Sequence, residues 1–167
     1  MPGPGSWKPI FPRMNCLMNE KRGMTDNVPG GYVRTTQDVI NAAVPETLES
    51  HPAGVSALTL KCRIEPDMVW FNGHFPGNPV YPGVAALDLV VRSLRHFFGF
   101  DSESFIMTIP QMKFPKPVFP GAALTLSVSW NAPELKCSFQ ITGDPEPGSS
   151  GAPAMHASGK IIFLREL

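Results

Sequence analysis

Between Phe71 and Asp88 the chain reads FNGHFPGNPVYPGVAALD, and three features of this stretch suit proton transfer. His74 sits among glycines and prolines, where the backbone is stiff and another group can approach closely. Its imidazole titrates near neutrality and can take and return a proton. Pro82 and Gly83 open a proline-free stretch with helical spacing. The first turn of a helix leaves backbone N–H groups unpaired, and with the helix dipole they suit an oxygen that gains negative charge. Asp88 falls four residues after Val84 and three before Val91, which predicts that it shares their apolar face. A carboxylate there is costly unless it is paired or used in chemistry. Together these make an acid–base constellation with an anion site.

Each feature has a plainer reading. A loop histidine is most often a solvated or hydrogen-bonded side chain, and His51, His96 and His156 are read that way. Dense glycine and proline can simply shape a turn. Asp88 can pair with Arg92 four residues on. The long stem of an arginine also lets its head reach solvent. The expectation adopted is that Arg92 points outward and leaves Asp88 desolvated, as befits a general acid.

The surrounding patterns predict the elements that hold these residues. Residues 1–35 are rich in Gly, Pro, Met and polar side chains without periodicity and read as a flexible extension; residues 36–167 read as one domain. A short helix is expected over Thr36–Leu48, capped by Thr35 or Thr36, with Val39, Ile40, Ala43 and Val44 on one face. From Leu58 the period changes to two: Leu58, Leu60, Cys62 and Ile64 alternate with polar residues, as in a strand with one buried face. Val84, Leu87, Val91, Leu94 and Phe98 recur at helical spacing, and Gly99 ends that helix. Strand patterns return around Phe105–Ile109, Leu124–Trp130, Cys137–Ile141 and Ala157–Leu164. A strand, one long helix and several further strands imply an α+β architecture with an antiparallel sheet over a single helix.

Bulk composition narrows the function. Hydrophobic residues make up 43% and charged residues 17%, as in a globular chain. A formal net charge of zero gives no electrostatic support for a nucleic-acid partner. Cys16, Cys62 and Cys137 are too scattered for a disulfide framework or a zinc cluster, and read as reduced thiols. No apolar run has the length of a membrane span or a signal peptide, so a cytoplasmic location is expected.

The segment HFPGNPVYPGVAALD closely resembles the active-site motif of the FabZ and FabA 3-hydroxyacyl-(acyl carrier protein) dehydratases. His74, Phe75, Pro76, Gly77, Pro79, Pro82, Gly83 and Asp88 all match, at the family interval from histidine to acid. MKFPKPVFPG (Met112–Gly121) and ASGKIIF (Ala157–Phe163) are similar to two further family segments, so the likeness runs from about residue 55 to 165. Asp in place of Glu resembles the FabA type, some of which also isomerise the double bond, whereas the HFPG loop resembles FabZ. Arg92 stands where the family commonly has Gln, and the N-terminal family signature is missing.

The resemblance implies a hot-dog fold, a long central helix wrapped by a curved antiparallel sheet. It implies elimination of water from a 3-hydroxyacyl thioester on acyl carrier protein, with His74 as base, the Gly83 N–H as oxyanion donor and Asp88 as acid. Such chemistry needs no metal or redox cofactor. Val80, Tyr81, Phe105 and Phe114 are candidates for the acyl tunnel, and Arg92, Arg95, Lys113 and Lys116 for contact with the acidic carrier. A homodimer or higher oligomer, or a heterodimer with a paralogue, is implied, with histidine and acid from different subunits. The alternatives are an enoyl-thioester hydratase, a thioesterase, and a non-catalytic subunit that binds carrier protein or a paralogous partner; retention of both His74 and Asp88 speaks against the last.

Overall fold

The computed structural model describes residues 34–73, 76–145 and 151–165. All described elements lie in one unit of the chain, Tyr32–Leu167. The expected extension falls outside the described residues, apart from Arg34 and Thr35. Arg34 bridges to Met68, and its guanidinium pairs with Asp67 at 3.2 Å.

Helix α1 spans Thr36–Ala42. Thr35 caps it: its side chain accepts from the Asp38 N–H, and the Asp38 carboxylate accepts from the Thr35 N–H at 2.8 Å. Thr36 is instead buried and accepts a hydrogen bond from the Trp70 indole at 2.9 Å. The helix ends early, as Pro45 implies, and the expected range to Leu48 is corrected: Val44–Glu49 form strand β1 at the sheet edge. The register slips between Pro45 and Thr47, so the proline sits beside an irregularity, where a missing N–H is tolerated. Val44, placed on the apolar helix face by the sequence pattern, is therefore a strand residue and exposed.

Among the described residues β1 joins β2 (Val55–Arg63), β3 (Phe105–Lys113), β4 (Ala123–Asn131), β5 (Lys136–Gly143) and β6 (Ala154–Arg165) in one antiparallel sheet. The strand order is β1-β2-β4-β5-β6-β3, with β1 and β3 at the edges. Alternation sorts one face inward: Leu58, Leu60, Leu124, Leu126, Val128, Phe139 and Ile161 are buried, while their strand neighbours Thr59, Lys61, Ser127 and Gln140 are not.

Helix α2, Gly83–Phe98, supplies the other half of the core. Its buried face is Ala85, Ala86, Leu89, Val90, Ser93 and Leu94. The Ser93 hydroxyl donates to the Leu89 carbonyl at 2.7 Å, so no polar atom is stranded there. The helix ends as expected at Gly99, in the left-handed conformation (φ 65°), with the Gly99 and Phe100 N–H groups bonded back to the Arg95 and Leu94 carbonyls.

Two expectations about faces are corrected. Val84, Leu87 and Val91 do not form the buried stripe of α2; Val84 is exposed and the other two are half-buried. The stripe that is buried begins one residue later, at Ala85 and Ala86. Phe105, Met107 and Ile109 alternate as if one face of β3 were covered, yet of the three only Phe105 packs on the core; Met112 joins it near the other end of the strand, and Ile106–Gln111 between them are exposed. Leu89 is fully buried where α2 meets the sheet, so Leu89→Ala should cost about 2–5 kcal/mol in urea unfolding.

Candidate active site

Pro82 is the N-cap of α2 and offers no side-chain hydrogen bond. The Ala85 N–H bonds back to the Pro82 carbonyl at 3.0 Å, so it is the Gly83 and Val84 N–H groups that are left to whatever occupies the space before them. The helix start is fixed from both sides. The Tyr81 N–H donates to the Val118 carbonyl at 2.8 Å, which ties it to the segment after β3. The buried Tyr81 hydroxyl donates to the Ala85 carbonyl at 3.1 Å, one turn into the helix. Burial first, with smaller contributions from Cys62 and Asp88, pushes the Tyr81 phenol well above its ordinary range, so it stays a neutral donor. Gly83 lies beneath the Phe114 ring, and a Cβ at this position would come within 2.6 Å of it.

Before this helix start opens a pocket of about 530 Å³, lined by Val80, Tyr81, Gly83, Ala86 and Phe114, with Val118, Leu124, Ile141, His156 and Ala157 on the remaining walls. Three of the four tunnel candidates are brought together here: Val80, Tyr81 and Phe114. Phe105 is not. It stacks on Phe100 with ring centroids 5.0 Å apart, in an aromatic cluster with Trp130 and Phe163 beyond the C-terminal end of α2. A second hollow, about 460 Å³ on the outer face of the sheet, is lined by Ser127, Ser129, Ser138, Gln140 and Ser158 and holds no acid–base pair.

His74 and Phe75 lie outside the described residues. Asp88 is placed one turn and a half into α2, half-buried on its flank. Its expected freedom is corrected: Arg92 Nε donates to both carboxylate oxygens, at 2.8 and 3.0 Å. The i,i+4 spacing brings the two side chains together, and Asp88, off the buried stripe, is accessible to the guanidinium. Arg92 thus spends its charge on Asp88. Arg95 pairs with Glu103. Of the other two cations expected at an acidic partner, Lys113 is exposed at the end of β3 and Lys116 lines the pocket.

His156 was not singled out by its type or spacing, and its place in the pocket wall follows from strand pairing rather than from any motif. Cys62 and Cys137 are buried, and burial pushes both thiols up to about 12, so neither offers a thiolate at neutral pH. Among the described residues no helix is long and apolar enough to cross a membrane. If the Asp88–Arg92 pair persists in solution, a double-mutant cycle with Asp88→Asn and Arg92→Gln should give a coupling of about 0.3–0.5 kcal/mol in unfolding free energy. A coupling of zero would place Arg92 in solvent.

The model of the ApeI-like family, described as ApeI dehydratase, matches residues 50–152. The 3-hydroxyacyl-[acyl-carrier-protein] dehydratase FabZ of Ehrlichia chaffeensis is 38% identical over 124 residues, 70% of this chain and 80% of that protein. FabZ of Geotalea uraniireducens is 41% identical over 66 residues, but these span only 35% of this chain and 46% of the relative. The dehydratase heterocomplex ApeI:P from Xenorhabdus doucetiae superposes with a TM-score of 0.54 at 24% identity, over 73% of this chain and 97% of that one. The last is a likeness of fold, and the long helix against a six-stranded antiparallel sheet is its hot-dog architecture. By the family match across most of its length, the chain belongs to the ApeI-like dehydratases, hydro-lyases of the hot-dog fold.

Proposed function

We propose that this dehydratase removes water from 3-hydroxyacyl thioesters carried on acyl carrier protein, in the building of fatty-acid-like chains, and that residues 36–167 form its single catalytic domain. The observation that carries the reading is the start of α2 at Gly83, which has no side-chain cap and opens on an apolar pocket, with Asp88 further along the same helix. His74 takes the proton on the carbon next to the thioester carbonyl. The electron pair moves onto the carbonyl oxygen, where the Gly83 N–H and the helix dipole receive the charge. As the pair returns to form the double bond, the C–O bond to the 3-hydroxyl breaks, and the hydroxyl leaves as water with the proton that His74 took from the neighbouring carbon. Asp88, held by Arg92, supports this step by orienting the imidazole or a water.

The acyl chain lies against Val80, Tyr81 and Phe114. Lys113, exposed at the end of β3, is a cation suited to the acidic carrier, and Lys116 lines the pocket. The likeness to acyl-carrier-protein dehydratases and the buried, unreactive thiols support a cytoplasmic location. If His74 is the base, His74→Ala should lower kcat for a 3-hydroxyacyl thioester by on the order of 100-fold or more with unfolding unchanged. Near-normal turnover would remove His74 from the mechanism.

A dimer completes this reading, with another copy or a paralogue. The support is the β3 edge, where Ile106, Met107 and Ile109 are 51%, 39% and 38% exposed on an open strand. Sedimentation should show a dimer, and Ile106→Asp with Met107→Lys should yield a monomer without turnover. A wild-type monomer with full activity would overturn this.

A further inference from the structure

One wall of the pocket plays no part in the chemistry above. Strands β5 and β6 pair as Gln140 with Ser158 and Ile141 with Ala157, and then as Thr142 with Met155 and Gly143 with Ala154. His156 is the extra residue of this bulge. In regular pairing it would alternate with Ala157, which is buried on the inner face, and would point to solvent. A bulge re-aims a side chain, and here the ring lines the pocket.

Two contacts hold it there. A Cβ on Gly143 would lie 2.6 Å from His156 Nε2 and 3.0 Å from Cδ2, so only glycine leaves room for the ring. Gly143 is not in a left-handed conformation, so its backbone does not itself call for glycine. On the other side His156 Nδ1 is 3.4 Å from the Lys116 carbonyl, to which the Nδ1–H tautomer donates. Lys116 belongs to the segment that carries Phe114 over Gly83 and accepts the Tyr81 N–H through Val118. The ring is thus wedged between the sheet and the loop that covers the helix start.

We propose that His156 is a specificity-determining residue: its wedged ring closes the sheet side of the acyl pocket and limits the length of chain the enzyme accepts. The inference rests on the reading that the acyl group of a thioester enters this pocket. The walls around the ring are apolar, among them Ala86, Leu124, Ile141 and Ala157, and suit methylene groups. A chain that reaches the imidazole meets a polar edge it cannot satisfy and a volume it cannot enter. In an apolar pocket a single methylene gained or excluded changes kcat/KM by about 10- to 200-fold.

The test measures hydration of crotonyl, octenoyl and dodecenoyl thioesters of N-acetylcysteamine by the full chain. His156→Ala should raise the dodecenoyl-to-crotonyl ratio of kcat/KM by about 10-fold or more. Gly143→Ala, which drives the ring toward the pocket, should lower the same ratio. If His156→Ala does not fold, His156→Asn decides the matter, with a smaller rise. Unchanged ratios in these variants overturn the proposal, and so does a loss of rate that is equal for all three chains. If the wild-type protein hydrates none of the thioesters, the dehydratase reading itself fails and this inference falls with it.

Discussion

The inner face of the sheet and the stripe Ala85, Ala86, Leu89, Val90 and Leu94 of α2 must be buried together, because neither can be covered alone. The N-terminus of α2 is set by this packing and by the two hydrogen bonds of Tyr81, not by a side-chain cap of its own. That is why the Gly83 and Val84 N–H groups can stay open. A serine or aspartate at position 82 would satisfy one of them and stabilise the helix by roughly 1 kcal/mol, while occupying the place that the proposed mechanism gives to the developing charge. Pro82 gives the helix its starting angle and leaves its donors free.

Much of this architecture could be read from residue order, and where it could not, the reasons are physical. Gly83–Phe98 was legible as a helix because it lacks proline, repeats apolar residues at helical spacing and ends on a glycine. β2, β4 and β5 were legible because one of their faces is covered. β1 was not, since Val44–Glu49 is exposed along its whole length and carries no alternation of burial. The same logic explains β3. Its apolar alternation is real, but in a single chain most of it faces no core, so periodicity predicted a covered face that the isolated chain does not have.

At the site, the helix start and Asp88 could be placed from the motif, whereas the partnership of Asp88 could not. A shift of one residue in the buried stripe moved Asp88 from an apolar face to a flank within reach of Arg92. A carboxylate gripped by both its oxygens is a good fixed anchor. In the proposed mechanism this suits Asp88 to keeping geometry, and the transfer of the proton belongs to the imidazole. His156 was out of reach for another reason: a bulge depends on how two strands register, and that depends on pairing across the hairpin.

Both margins of the sheet are interrupted in the same way. β1 places Pro45 beside a register slip, with a Glu46–Lys61 ion pair at 2.6 Å next to it; β3 places Pro110 within its own slip between Thr108 and Gln111. Both also leave apolar side chains exposed, Val44 and Leu48 on one and Ile106, Met107 and Ile109 on the other. A strand without a full set of donors is a poor template for another strand. With a break built into each margin, an added strand finds only a short ladder on either side of it, and the sheet resists running on into a fibre.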